Sequence, residues 1–306
     1  MGLPHAVWLT WWGLVGLFVG SFLNVAIHRL PLEGETVSKP RRSRCPQCRR
    51  QLTWKENIPL FSWLVQLGRC RGCGWRIPWR YPFVELLTAA LWVTVALLTG
   101  FDRPLLLGFQ TLVVSGLVVA TFVDFDYFEI PDEISIGGIV IAPLASLLVP
   151  ELHVASPVPG WIGLLAEDGG PSRLGALVTC VFGMVVGGGI LQAVGWAGSK
   201  IFGRDAMGFG DVKLLAGAGG FIGPGGVLVA LMIASLIASV AGVGNILRFL
   251  FVVGDRHRQR GKASSFGARL QVARVAGRYV PFGPYLAIGI GIVLVAWKDV
   301  VRWLPQ

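Results

Sequence analysis

Two short stretches put carboxylates where an otherwise apolar chain has little reason to keep them. In Gly208-Phe209-Gly210-Asp211-Val212-Lys213, Asp211 stands between a glycine-paired turn and a strongly apolar run. The glycines let the backbone come close to another segment. Asp211 falls at or near a helix start, where the positive end of the helix dipole favours its charge. In a chain with 42 glycines a Gly-x-Gly-Asp is weak evidence alone, and its plain reading is a capping aspartate. A second stretch supplies a partner: Thr121-Phe-Val-Asp124-Phe-Asp126-Tyr-Phe-Glu129-Ile-Pro131-Asp132. Two carboxyl groups brought together can divide acid and base roles, one neutral and one ionised. Asp126, two residues past Asp124, would face another side of a continuing helix, and Asp132, following Pro131, reads as the N-cap of the next one.

A third group of residues suits a different chemistry. Cys45-Pro-Gln-Cys48 and Cys70-Arg-Gly-Cys73 are two Cys-x-x-Cys pairs with 21 residues between them. Four thiolates fit a tetrahedral Zn²⁺ with no open position, so the metal would be structural and would fold a loop too small for its own core. A pair of disulfides fits poorly with a reducing compartment. The fifth cysteine, Cys180, lies in an apolar run and reads as packing.

The elements that must position these groups are membrane helices. The chain has 306 residues, 54% hydrophobic and only 14% charged, with 12 Trp and a mean hydropathy of +0.65. That is a membrane protein's composition. The first apolar segment lacks a preceding basic region and a small-residue cleavage site, so it is expected to be a retained helix. Eight spans are expected, near residues 7–27, 82–99, 104–123, 134–150, 174–198, 212–223, 226–250 and 281–300, of which 212–223 is short and glycine-rich. With the 28–80 loop on the cytoplasmic side, only Arg103, Arg173, Lys298 and Arg302 fall outside, leaving 23 of 27 Lys and Arg inside. The same arrangement puts Asp124 at the end of the third span and Asp211 at the start of the sixth, both at the cytoplasmic face. The net charge of +10 is thereby explained by topology and anionic lipid head groups, not by nucleic acid. The expected fold is all-α and polytopic. It has a first helix over 1–27, a cytoplasmic four-cysteine zinc loop over 28–80, and a seven-helix core over 81–306 carrying both carboxylates. The loop around Glu151–Ser172 reads as a plain connector, and no internal repeat is apparent.

Several further stretches, in this order and spacing, carry a resemblance. They are Gly20-Ser-Phe-Leu-Asn-Val-Ala-Ile-His-Arg-Leu-Pro31, the cysteine pairs enclosing Trp54-Lys-Glu-Asn-Ile-Pro-Leu-Phe-Ser-Trp63, and Arg80-Tyr-Pro-Phe-Val-Glu-Leu-Leu87. The two carboxylate stretches and Pro281-Phe-Gly-Pro-Tyr285 complete the set. Over nearly its whole length the chain resembles bacterial prepilin peptidases. The resemblance implies a polytopic aspartic endopeptidase of the bacterial inner membrane. It would cut the basic leader of type IV prepilins or type II secretion pseudopilins after a glycine, at the cytoplasmic edge of the bilayer. It maps the catalytic pair onto Asp124 and Asp211, with Asp126 the rival for the first place. It also implies N-methylation of the newly exposed residue with S-adenosylmethionine, for which no glycine-rich nucleotide fingerprint is visible and no binding residues can be named. The implied partners are prepilin or pseudopilin substrates and membrane lipid. Alternative readings are a presenilin-type intramembrane protease, which shares Gly-x-Gly-Asp but has no reason to carry a cysteine loop, and a proton-coupled transporter using the two carboxylates as a relay. A membrane-anchored zinc module binding nucleic acid through Arg41–Arg50 is a third, and that loop lacks a readable recognition helix.

Overall fold

Long apolar runs without interrupting charges leave the backbone one way to satisfy its polar groups in lipid, the α-helix. In the computed structural model the described residues are 3–32, 34, 36–38, 42–153, 172–203, 207–259 and 281–302. Among them there is no strand, and two isolated bridges lie in the cysteine loop. The helices are α1 (Leu3–Arg29), the short α2 (Phe61–Val65), α3 (Arg80–Thr99), α4 (Pro104–Tyr127), α5 (Asp132–Leu148), α6 (Arg173–Phe202), α7 (Phe209–Gln259) and α8 (Gly283–Arg302). Five of them are long and apolar enough to cross a membrane. The chain is a multi-pass helical membrane protein with a four-cysteine loop after its first helix. Most of the connector after Glu151, residues 154–171, and the basic stretch 260–280 lie outside the described residues.

Helix occupies all eight expected positions, with one difference. The sixth and seventh are a single run, α7, broken only at Gly223 (φ 68°, ψ 173°) with Pro224 inside the helix. That backbone conformation is open essentially to glycine alone, and Pro224 removes a helical donor beside it. The arm before the break, Phe209 to Ile222, is roughly 21 Å long at about 1.5 Å per residue, well short of the ~30 Å apolar thickness of a bilayer. The break therefore lies at a depth the first arm can reach from the end that carries Asp211.

Side-chain direction follows the lipid. On α1, Val7, Trp8, Trp11, Leu14, Phe18 and Phe22 point outward, while Leu23, Ala26 and Ile27 are buried. An outward apolar stripe of this size would be an aggregation hazard in water and is what a hydrocarbon-facing helix requires. Inside, α1 packs on α3, and α7 packs on α5, α6 and α8. With lipid outside, close packing must supply the cohesion. At the α6–α7 contact a Cβ added to Gly183 would lie 2.1 Å from the Gly219 carbonyl oxygen, and one added to Gly219 would lie 2.2 Å from that of Gly183. The main core cluster sits among α4 to α8 and includes Ala142, Leu191, Leu215, Val227 and Leu286.

Candidate active site

Asp124 occupies the last turn of α4, which ends at Phe128, a left-handed residue (φ 57°, ψ 35°) whose N–H donates back to the Asp124 carbonyl. The side chain is buried, 6% exposed, and its Oδ2 accepts the backbone N–H of Gly283 at 2.9 Å. Gly283 is the first residue of α8, so the carboxylate caps a helix N-terminus that belongs to another part of the chain. Only a residue without a side chain fits: a Cβ on Gly283 would lie 2.6 Å from Asp124 Oδ2.

Asp211 enters from α7, in whose first turn it lies. Its Oδ1 is buried and has no hydrogen-bond partner, a rare condition for a carboxylate oxygen and one that calls for an explanation. Asp211 and Asp124 stand near enough to act on each other through their charges. Ile130 fills the space between the two helix starts: added Cβ atoms on Gly210 and Gly283 would come within 3.1 and 3.2 Å of its side chain. The two carboxylates that the sequence paired thus lie together, each at a helix N-terminus whose dipole favours negative charge.

The other acidic residues have different partners. Asp126 is exposed and forms an ion pair with Arg80 of α3, whose guanidinium lies over the Phe122 ring at 5.1 Å. Asp132 differs from expectation. The N-cap of α5 is Pro131, and Asp132 begins the helix. Its carboxylate pairs with Lys213 of α7, which also lies over the Phe209 ring at 5.3 Å. The pair ties the start of α5 to the start of α7, two residues from Asp211. Gly283 and Lys213 fell within stretches singled out in the sequence, but neither carried a role there. A glycine followed by proline at the start of an apolar helix was the available signal for the first.

The cysteine loop is built from two equivalent turns. In the first, the Cys45 N–H donates to the Arg50 carbonyl and the Arg49 N–H to that of Cys45, both at 2.9 Å. In the second, Cys70 donates to Trp75 and Gly74 to Cys70, both at 2.8 Å. Arg49 (φ 57°) and Gly74 (φ 71°) take the left-handed conformation at matching places. This is a local repeat that the side chains conceal. Facing each other, the turns bring the Sγ atoms of Cys45, Cys48, Cys70 and Cys73 within 4.8 Å of one another, with Cys45 to Cys73 at 3.9 Å. Four sulfurs about 2.3 Å from a tetrahedral ion stand about 3.8 Å apart, so the cluster fits a metal. None of these cysteines is in a disulfide. The backbone N–H groups of Cys73 and Gly72 draw the Cys70 thiol down to about 6, toward the thiolate that a metal binds. Glu56 secures the loop by accepting from the N–H and hydroxyl of Thr53, both at 2.9 Å, and from Arg50. These bonds, that from the Thr53 N–H first, hold its carboxyl below the usual range.

Residues 14–99 match the family model described as Bacterial Peptidase A24 N-terminal domain, and residues 111–243 match that of the Type IV leader peptidase family. The chain belongs to the type IV leader peptidase family. The second match contains both Asp124 and Asp211, and the first contains the whole cysteine loop. The chain is similar to relatives named Prepilin leader peptidase/N-methyltransferase. It is 35% identical to the one from Aeromonas hydrophila, over 99% of this chain and 95% of the relative. It is 34% identical to that of Stutzerimonas stutzeri and 32% to that of Pseudomonas aeruginosa, in both cases over 94% of this chain and 89% of the relative. No solved structure matches the chain. Membership of this family makes the chain a peptidase of the prepilin-processing type.

Proposed function

We propose that Asp124 and Asp211 are the catalytic pair of an aspartic endopeptidase that removes the leader from type IV prepilins or type II secretion pseudopilins. The observation that carries this reading is the unpartnered Oδ1 of Asp211 beside the anchored carboxylate of Asp124. An attacking water held between the two satisfies that oxygen. One carboxylate takes a proton from the water as it adds to the scissile carbonyl, and the other, neutral, donates to the carbonyl oxygen. The pair exchanges these roles as the amine leaves, and it titrates as a unit. Such acid–base help is typically worth about 10²–10⁴-fold, and the remainder comes from holding the peptide against the pair. The Gly283 N–H keeps Asp124 in place while leaving its second oxygen free for the reaction.

Both carboxylates lie at helix ends, not at mid-helix, which suits a peptide cut at the membrane surface better than a proton relay at mid-depth. On the charge distribution that surface is the cytoplasmic face of the inner membrane, with lipid head groups around the basic loops. The four cysteines hold a structural Zn²⁺, which supplies folding free energy to the loop and no chemistry. The second activity is methylation of the new N-terminal residue with S-adenosylmethionine as methyl donor. Incubating the purified protein with a prepilin, with and without the donor, and weighing the products tests the reading. Loss of the leader after glycine and gain of one methyl group are expected. An intact prepilin would overturn it.

A further inference from the structure

Phe61-Ser-Trp-Leu-Val-Gln-Leu67 has the composition of a core segment. At about 100° per residue, Phe61, Leu64 and Val65 share one side of α2, and Ser62, Trp63 and Gln66 share the other. In a loop surrounded by water the apolar side would turn inward. Here it turns outward. Phe61, Leu64 and Val65 are exposed, and Leu67, just past the helix, is 84% exposed. Ser62, Trp63 and Gln66 are partly covered and line an internal cavity. The orientation is fixed from within: Trp63 donates its Nε1–H to the Ile77 carbonyl at 3.2 Å, and a Cβ on Gly68 would lie 3.0 Å from the Trp63 ring. An apolar side held open in this way calls for a partner.

The height of α2 says which partner. The Leu60 N–H, immediately before α2, donates to Glu85 Oε2 at 2.8 Å. This bond holds the start of α2 beside the second turn of α3. With 20 residues, α3 is about 30 Å long, no more than the apolar thickness of a bilayer. To cross at all it must begin at the membrane boundary, and α2 is tied to that level. Side chains of α3 at the same level, Phe83 and Leu86, are exposed. Trp79, also exposed, meets the Phe83 ring edge-on at 5.4 Å, where an interfacial aromatic belt lies. Charge agrees with height. Residues 42–80 hold nine Lys and Arg against one acid, Glu56, which is already paired with Arg50. Lys55, Arg69, Arg71 and Arg76 are exposed.

We propose that α2 and Leu67 dock on the bilayer, with their apolar side chains at the acyl boundary of the leaflet where α3 begins and the basic residues of the loop among anionic head groups. Interfacial helices sink their apolar faces about 5–10 Å in this way, and basic residues near such a surface are attracted to it. Docking turns the cysteine loop into a surface-bound unit of fixed height. It is the same membrane surface that carries the carboxylates, since Arg80 at the start of α3 pairs with Asp126, two residues beyond Asp124. The docking depends on neither cleavage nor methylation.

The test uses the full chain in nanodiscs of phosphatidylcholine mixed with phosphatidylglycerol. The photoreactive residue p-benzoylphenylalanine replaces Leu67 or, as the lipid-facing reference on α3, Leu86, and the irradiated products are weighed. Phospholipid adducts are expected at both positions. An adduct at Leu86 with none at Leu67 would overturn the proposal, as would a cross-link from Leu67 to a second copy of the chain. Hydrogen exchange of residues 61–67 gives a second reading. Leu64→Glu combined with Leu67→Glu should speed it at least tenfold with metal content unchanged. In wild type it should slow several-fold when phosphatidylglycerol replaces part of the phosphatidylcholine. Exchange that ignores both changes would overturn the docking.

Discussion

At the carboxylate centre, Asp124, Asp211 and Gly283 come from α4, α7 and α8, and the hydrogen bond that fixes Asp124 spans 159 positions of sequence. In the cysteine loop, all four thiols lie between residues 45 and 73, and backbone bonds four or five residues apart set each turn. The first geometry exists only when the helices are packed. The second is assembled from two local turns that a shared metal can join. The comparison teaches where each site is vulnerable: small changes in helix packing should disable the carboxylates, whereas the loop should tolerate them and fail when a ligand is lost.

The change expected to break the comparison hardest on the helical side is Gly283→Val. It forces a branched side chain into the space of Asp124 Oδ2, and displacing a reacting group by about 1 Å can cost around 10²-fold. Leader cleavage should fall by at least that factor while the protein still inserts and keeps its metal. Near-normal cleavage would show that the Gly283 contact does not position Asp124.

On the loop side, Cys45→Ser combined with Cys73→Ser should release the metal, expected at about one Zn²⁺ per chain, and leave the loop open to protease. Methylation should drop much further than cleavage, since the carboxylates are held by helices. Metal analysis with limited proteolysis checks the first part. A metal-free wild-type loop that resists protease equally well would remove the structural-metal account.

Smaller effects sharpen the boundary between the two regions. Lys213→Met severs the tie to Asp132. Because that carboxylate is largely exposed, the stability cost should be about 0–1 kcal/mol, and cleavage should decline only several-fold. Rescue by Lys213→Arg would identify the ion pair as the cause. Asp126→Asn removes the partner of Arg80 and should leave most cleavage activity, measured as initial rate on a prepilin.

These expectations also indicate what could be read in the sequence. Asp124 and Asp211 were legible because ionised groups are costly in an apolar chain and stand out there. The four cysteines were legible as one cluster because paired Cys-x-x-Cys spacing suits four thiols gathered at one point. Gly283 could not be identified as a partner, since its contribution is a backbone N–H brought in from a distant segment. The repeat in the loop was partly hidden because, beyond the paired cysteines, only the hydrogen bonds recur: Arg49 and Arg50 stand where Gly74 and Trp75 stand in the second turn. Asp132 was misplaced by one position because Pro131 occupies the cap and Lys213, from another helix, takes the carboxylate.

The measurement that tests the central claim most directly is the mass of a prepilin after incubation with Asp124→Asn, Asp211→Asn and the double variant, each inserted to the wild-type level. Asparagine keeps the size and much of the hydrogen bonding of aspartate but cannot exchange a proton in this way. The account predicts an intact leader in all three, with the double variant no worse than either single one because the pair acts as a unit. Full cleavage by Asp211→Asn, or activity in Asp124→Asn together with loss in Asp126→Asn, would contradict it.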